Sequence, residues 1–264
     1  MVSMEKFVQI RGLRIHYLES GKASKPRLLL IHGLGGSIES WAEIISDLSR
    51  DFHVVAVDLP GCGRSDKPAV SYTIEYFSDF ICSFMESLKF HPAFLVGHSM
   101  GGMIALKTCL RCFEKIEGLI LQDAAGLSET AAAKIRQYMG AEWSMERLKK
   151  FYRDCVLGRL GKLDEARLEE SLRMLGDPSF RRAYLSSLDS ISKPIPVEEL
   201  QKIQVPTLII WGSDDRLTPL EDGIKLSRAI PGSRLVVIDG AGHSPHSEAA
   251  DQVIREIKKF ILKT

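Results

Sequence analysis

The sequence predicts an α/β fold, a mostly parallel sheet flanked by helices and carrying an inserted helical segment. Three observations lead there. Short apolar runs such as Arg27–Ile31, Val54–Val57 and Phe94–Val96 have the unbroken hydrophobicity of strands covered on both faces. Glycine-containing turns and helical patterns follow them, the strand and crossover order that builds a parallel sheet. From Leu127 to Pro196 this alternation stops, and only charged amphipathic segments are found.

Taken in order, Val8–Ile10 and Leu13–Leu18 read as paired antiparallel strands joined at Arg11-Gly12. Arg27–Ile31 ends in His32-Gly33-Leu34-Gly35-Gly36-Ser37, and a helix is expected from about Ile38 to Leu48. Val54–Val57 closes on Asp58-Leu59-Pro60-Gly61-Cys62-Gly63-Arg64-Ser65. Thr73 is a fitting N-cap for a helix whose Ile74, Phe77, Phe80, Ile81, Phe84 and Leu88 form one apolar stripe. Phe94–Val96 runs into Gly97-His98-Ser99-Met100-Gly101, and the apolar residues to Leu110 continue as a buried helix. Gly118–Leu121 ends at Gln122-Asp123-Ala124-Ala125-Gly126. Residues 1–126 and 197–264 are expected to form the core, with 127–196 inserted as a helical cap. Its segments are Ala131–Met139, Met145–Val156, Glu165–Leu175 and Phe180–Leu188, punctuated by Gly140, Gly158, Gly161, Gly176 and Pro178. Thr207–Trp211, a helix near Leu220–Ala229, Leu235–Ile238 and a final helix over Ala249–Leu262 complete the core.

Composition narrows the function classes. Lys+Arg 35 against Asp+Glu 34 gives a formal charge of +1 over 264 residues, a balance that argues against nucleic acid or an anionic membrane as partner. The opening residues lack an apolar core of signal-peptide length, and no run approaches the roughly 20 apolar residues that span a bilayer. A cytoplasmic protein acting on a small molecule is expected. The five cysteines, Cys62, Cys82, Cys109, Cys112 and Cys155, are odd in number and scattered, which favours reduced thiols over a disulfide framework. Cys109 and Cys112 have C-x-x-C spacing but no second pair to complete a zinc site.

The chemistry centres on Gly97–Gly101. G-x-S-x-G after a strand and before a helix forces a sharp reversal, with no room for a side chain at either glycine, and leaves Ser99 exposed on a strained turn. A serine hydroxyl needs a base within hydrogen-bond reach and a group to orient that base. In a parallel sheet the strand C-termini share one edge, so residues beyond Ile31, Val96, Trp211 and Ile238 converge. Asp215 and His243 stand at those places, in the serine, acid, histidine chain order. Asp214 and Asp123 are alternative acids and His246 an alternative base. His32 and His98 flank the site and read as structural, Arg64 and Ser65 as fastening their loop. His16, His53 and His91 carry no more signal than ordinary surface or loop histidines.

These residues together resemble the α/β-hydrolase superfamily, in the branch with a helical cap. The resemblance covers nearly the whole chain and rests on His32-Gly33, Asp58-Leu59-Pro60-Gly61 with Gly63-Arg64-Ser65, Gly97–Gly101, Trp211-Gly212 with Asp215 and Pro219, and Gly242-His243 with Pro245-His246. It implies Ser99 as nucleophile, His243 as base, Asp215 as the orienting acid, and the backbone N–H groups of Leu34 and Met100 as the oxyanion hole. Relatives that open epoxides or displace halide share the Asp58–Pro68 stretch but carry a carboxylate where this chain has Ser99. The expected reaction is hydrolysis of a carboxylic ester, or a thioester, of a small, partly apolar substrate. Carbon–carbon hydrolases of ring-cleavage dienones are the nearest alternative. They commonly place tryptophan after the catalytic histidine, where this chain has Ser244. A hydrolase-fold receptor or binding protein with little turnover is the non-enzymatic alternative.

No cofactor is implied. Gly33-Leu34-Gly35-Gly36 lacks the G-x-G-x-x-G spacing of a dinucleotide loop, and no metal set is expected. In the cap, Trp143, Phe151, Tyr152, Leu172, Met174, Leu175, Phe180 and Tyr184 supply apolar surface, mostly for packing on the core. Arg147, Lys149, Lys150, Arg153, Arg181 and Arg182 alternate with Glu142, Glu146, Asp154, Glu165, Glu169 and Glu170, the pattern of a solvated face.

Overall fold

A computed structural model describes residues 3–139 and 143–263, so Gly140 and Glu142 lie outside the described residues. The elements in chain order are β1 (Met4–Ile10), β2 (Leu13–Ser20), β3 (Arg27–Ile31), a 3-10 turn (Ile38–Trp41) leading into α1 (Ala42–Leu48), β4 (His53–Val57), α2 (Ile74–Ser87), β5 (Ala93–His98), α3 (Met100–Arg111) and β6 (Ile116–Gln122). Next come α4 (Thr130–Met139), α5 (Met145–Phe151), α6 (Glu165–Gly176), α7 (Pro178–Ile191) and α8 (Val197–Leu200). The chain then returns through β7 (Thr207–Gly212), α9 (Leu220–Ala229), β8 (Arg234–Ile238), α10 (Pro245–Glu248) and α11 (Ala250–Leu262).

The strands form one eight-stranded sheet in the order β1-β2-β4-β3-β5-β6-β7-β8. Strand β2 runs antiparallel to both of its neighbours, β1 and β4; from β4 to β8 the ladder is parallel. Alternation along β3 shows why its hydrophobic run has no polar side. Leu28 and Leu30 face one core with Ile44, Leu48 and Val253 of α1 and α11, and Leu29 and Ile31 face the other with Phe77, Ile81 and Ile104 of α2 and α3. A sheet buried on both faces needs apolar residues at every position.

The α2 stripe and its Thr73 cap stand as expected, with the Thr73 hydroxyl accepting from Tyr76 N–H. Expectation and structure differ at three helices. Met145–Val156 is not one α-helix: after Phe151 the chain widens into a π-turn over Tyr152–Val156, a local bulge that apolar spacing does not register. The helix expected over Phe180–Leu188 begins at Pro178, because Asp177 caps it and proline is favoured in a first turn. The third is α10, a short unexpected helix over Pro245–Glu248; the final helix that follows it runs over Ala250–Leu262, as expected.

The thiols also differ from expectation. Cys82 and Cys112 form a disulfide between α2 and the end of α3, with Cα atoms 6.5 Å apart, while Cys62, Cys109 and Cys155 are free and buried. The C-x-x-C pair is therefore not a unit. Its second member bonds a residue 30 positions away, which helix packing determines and local spacing cannot reveal. No helix among the described residues is long and apolar enough to cross a membrane.

Candidate active site

The turn after β5 is built by steric exclusion. Ser99 has φ +53°, ψ −118°, a strained conformation for a residue with a side chain. A Cβ on Gly97 would lie 2.3 Å from the Gly101 carbonyl oxygen, and one on Gly101 would lie 2.0 Å from that of Ile31. Hydrogen is the only substituent these positions admit. The elbow is pinned by Ser99 N–H donating to Gln122 O at 2.9 Å and Ala125 N–H donating to Ser99 O at 3.0 Å. Gly101→Ala is expected to destabilise the protein by about 3 kcal/mol through backbone displacement, read as a Tm loss of about 5–10 °C in a thermal melt.

Residues from three strand ends meet at this turn. Ser99 Oγ lies 2.9 Å from His243 Nε2, and His243 Nδ1 lies 2.8 Å from Asp215 Oδ2. All three residues are buried. The Asp215 carboxylate also accepts from Thr218 Oγ1 (2.6 Å), Leu217 N–H (2.7 Å) and Thr218 N–H (3.0 Å). Burial pushes its pKa up, but the His243 imidazole and these hydrogen bonds outweigh burial and hold it below the usual carboxylate range. With Asp215 ionised, Nδ1 keeps its proton and Nε2 is free to accept the serine proton.

The imidazole is held from its backbone as well. His243 N–H donates to Val156 O at 2.7 Å, and His98 Nε2–H donates to His243 O at 2.7 Å. Burial keeps the His98 ring neutral, well below the usual histidine value. His246, the alternative base, packs 4.7 Å from Trp41, contacts Gln122 Oε1 at 3.2 Å, and is pushed down to about 3 by burial. Asp214 pairs instead with Arg159 at 2.9 Å on the surface. Asp123 is buried against Asp215, with the two carboxylates and the His243 ring within 4.8 Å of one another.

The two candidate oxyanion donors sit beside the serine. Met100 is the first residue of α3, where N–H groups have no intrahelical acceptor. Leu34 lies in the Gly33–Gly36 turn, closed by Gly36 N–H donating to Gly33 O at 3.1 Å, and Gly33 packs where a Cβ would be 3.2 Å from Ser99 Cβ. His32 braces the turn: its Nδ1–H donates to Gly33 O at 2.8 Å and its Nε2 accepts from Leu59 N–H at 3.1 Å.

Beneath lies a network that sequence reading missed. Asp58 accepts from His16 Nδ1–H, Ile38 N–H and Arg64 N–H, each at 2.8 Å, and Ser65 Oγ–H donates to Asp58 O at 2.7 Å. His16 is 1 % exposed, so it is a core residue and not an ordinary surface histidine. His53 is buried too and contacts Glu19 at 2.7 Å. Alternation gives no signal for His16, because β2 buries Ile15, His16 and Tyr17 in succession, on both of its faces. As expected, Ser65 fastens the loop; Arg64 side-chain nitrogen contacts Glu5.

The helical segment between β6 and β7 covers this edge. The Tyr184 ring of α7 lies against Gly35, where a Cβ would come within 3.0 Å of it, and Trp143 packs edge-on to Tyr184 at 5.3 Å. Phe151, Leu175 and Phe180 are buried in the core. Basic residues pair outward: Lys149 with Glu165 at 2.7 Å and Lys150 with Asp154 at 2.6 Å. Near the π-turn the segment is stitched to the histidine loop, because Glu248 accepts from both Gly158 and Gly242 N–H at 3.0 Å. Glu248→Ala leaves two partly buried N–H groups without an acceptor and is expected to cost about 2–4 kcal/mol. Glu248→Gln keeps a side-chain acceptor and is expected to melt near wild type, which a denaturation series would check.

Fold and site together define a hydrolase. The α/β-hydrolase fold family model matches residues 26–250, and the chain belongs to that family. Among proteins of known role, it is 29% identical over 248 residues to 2-hydroxy-6-oxo-6-(2'-aminophenyl)hexa-2,4-dienoic acid hydrolase of Metapseudomonas resinovorans, covering 91% of this chain and 84% of that one. A solved serine hydrolase involved in carbazole degradation superposes with TM-score 0.88 at 27% identity, over 100% of both chains. A bacterial membrane phospholipase A superposes with TM-score 0.86 at 28% identity, over 99% of this chain and 86% of that one.

Proposed function

We propose that the protein is a serine hydrolase that cleaves a carboxylic ester, or a thioester, of a small, partly apolar substrate through an acyl-enzyme on Ser99. The observation that carries this reading is the unbroken chain from Ser99 Oγ to His243 Nε2 at 2.9 Å and from His243 Nδ1 to Asp215 Oδ2 at 2.8 Å. Ser99 attacks the acyl carbonyl as His243 takes its proton, and Asp215 stabilises the imidazolium. Leu34 and Met100 N–H groups receive the oxyanion, and the imidazolium then protonates the leaving alcohol or thiol. Water repeats the sequence on the acyl-enzyme. Residues 127–196 serve as the cap, with Trp143 and Tyr184 as an aromatic roof that suits an apolar acyl or leaving group.

Carbon–carbon hydrolysis of a dienone acid is the second reading, favoured by the names of the relatives. Such a substrate brings a carboxylate, and a buried carboxylate needs a cationic or multiply donating partner. The cap lysines Lys149 and Lys150 spend their charge on surface acids, which favours a neutral ester. Kinetics on p-nitrophenyl esters of graded acyl length, run beside a ring-cleavage dienone acid, decide between them. Higher kcat/KM on the esters supports ester hydrolysis. Preference for the dienone moves the assignment to carbon–carbon cleavage, and no turnover of either favours a binding protein.

A further inference from the structure

Asp123 is not needed in the serine, histidine and acid relay, yet it is built into it. It follows β6 with φ +45°, a backbone conformation that a non-glycine residue holds only when its surroundings impose it. Its N–H donates to Ile210 O at 3.1 Å, and its Oδ1 accepts from Gly212 N–H at 2.9 Å. Thr218 Oγ1, which donates to Asp215, also lies 3.2 Å from Asp123 O. The side chain is fully buried, and Oδ2 meets no N–H or O–H donor among the described residues.

A buried carboxylate oxygen with no donor is costly as an anion, whereas as a hydroxyl it needs only an acceptor. The acceptor within reach is Asp215, whose carboxylate lies with Asp123 and His243 in a group spanning 4.8 Å. We propose that Asp123 is a positioning residue: a neutral carboxylic acid whose Oδ2–H donates to Asp215 and holds that carboxylate against the His243 imidazole. The inference rests on the relay assigned above for its catalytic consequence, but not for the protonation itself.

The charges around Asp123 agree. It faces the Asp215 carboxylate, the His243 imidazole and, farther off, Glu248; burial and the two acids all push its carboxyl well above the usual carboxylate range, and only the Gly212 N–H opposes them. A single imidazole then serves a single carboxylate, and one proton is shared between the two acids.

Infrared difference spectra at neutral pH between wild type and Asp123→Asn test the protonation without reference to activity. A carboxylic-acid C=O band present in wild type and absent in the variant is expected; its absence from wild type overturns the proposal. The pH profile of kcat/KM on an ester tests the role. Because Asn removes no charge and still offers an N–H to Asp215, its acidic limb is expected to stay in place, with kcat within about twofold of wild type. A limb displaced to lower pH would mean that a negative charge had been removed and would overturn the proposal. Asp123→Ala, lacking any donor, is expected to lose about tenfold in kcat with KM unchanged; wild-type kcat in a folded Asp123→Ala protein would also overturn it. Should that variant fail to fold, the Asn spectra and pH profile still decide.

Discussion

Ser99→Ala is expected to lower kcat on an activated ester by on the order of 10⁴ to 10⁶, because the covalent step is lost and not merely slowed. Stability should hardly change. The hydroxyl lies at the end of the network, and its role in the elbow is played by the Ser99 backbone, which donates to Gln122 and accepts from Ala125, Gly102 and Met103. A Tm within about 2 °C of wild type alongside lost turnover separates chemistry from folding. His243→Ala should behave alike, since nucleophile and base act as one unit and their losses do not add.

The second large effect is at the acid. Leu217 and Thr218 N–H both donate to Asp215 Oδ1, so an asparagine in its place must keep its carbonyl oxygen toward them and turn its NH₂ toward His243. The imidazole would then have to accept at Nδ1 and carry its proton on Nε2, where it cannot take the serine proton. Asp215→Asn is expected to lower kcat by about 10³ to 10⁴. Asp214→Asn, one residue away, only weakens a surface pair with Arg159 and should change kcat by less than about threefold. A reversed pattern in steady-state kinetics would move the acid to Asp214, and equal tolerance of both would move it to Asp123.

The contrast between these neighbouring aspartates shows what a sequence can disclose. Ser99, Asp215 and His243 were legible because each follows an apolar run, and a parallel sheet brings the ends of such runs together whatever their separation in the chain. The glycines at 97 and 101 were legible because their requirement is local: the tight turn leaves no room for a Cβ. Aromatic residues of 127–196 were legible as apolar surface, but the contact of Tyr184 with Gly35 was not, since it depends on how α7 lies across the sheet edge.

What escaped sequence reading depends on side-chain contacts between distant elements. His16 looked ordinary because the partner that buries it, Asp58, is 42 residues away. Cys82 and Cys112 are neighbours only through the packing of α2 on α3. Glu248 sits in a short polar stretch after His243, and nothing local says that it would accept from Gly158, 90 residues earlier. The disulfide is the instructive correction, because the odd count and scattered placement that argued for reduced thiols describe the set of cysteines and not any one pair.

Oxyanion geometry and the charge state of Asp123 refine a mechanism that depends first on which atom attacks. The most direct measurement is intact-protein and peptide mass spectrometry after treatment with an alkyl fluorophosphonate, which phosphonylates the activated serine of a hydrolase with loss of fluoride and leaves ordinary hydroxyls alone. One adduct on the peptide containing Ser99, lost in His243→Ala, is the expected result. An adduct on another residue, or none on folded protein with its Cys82–Cys112 disulfide intact, would contradict Ser99 as the nucleophile.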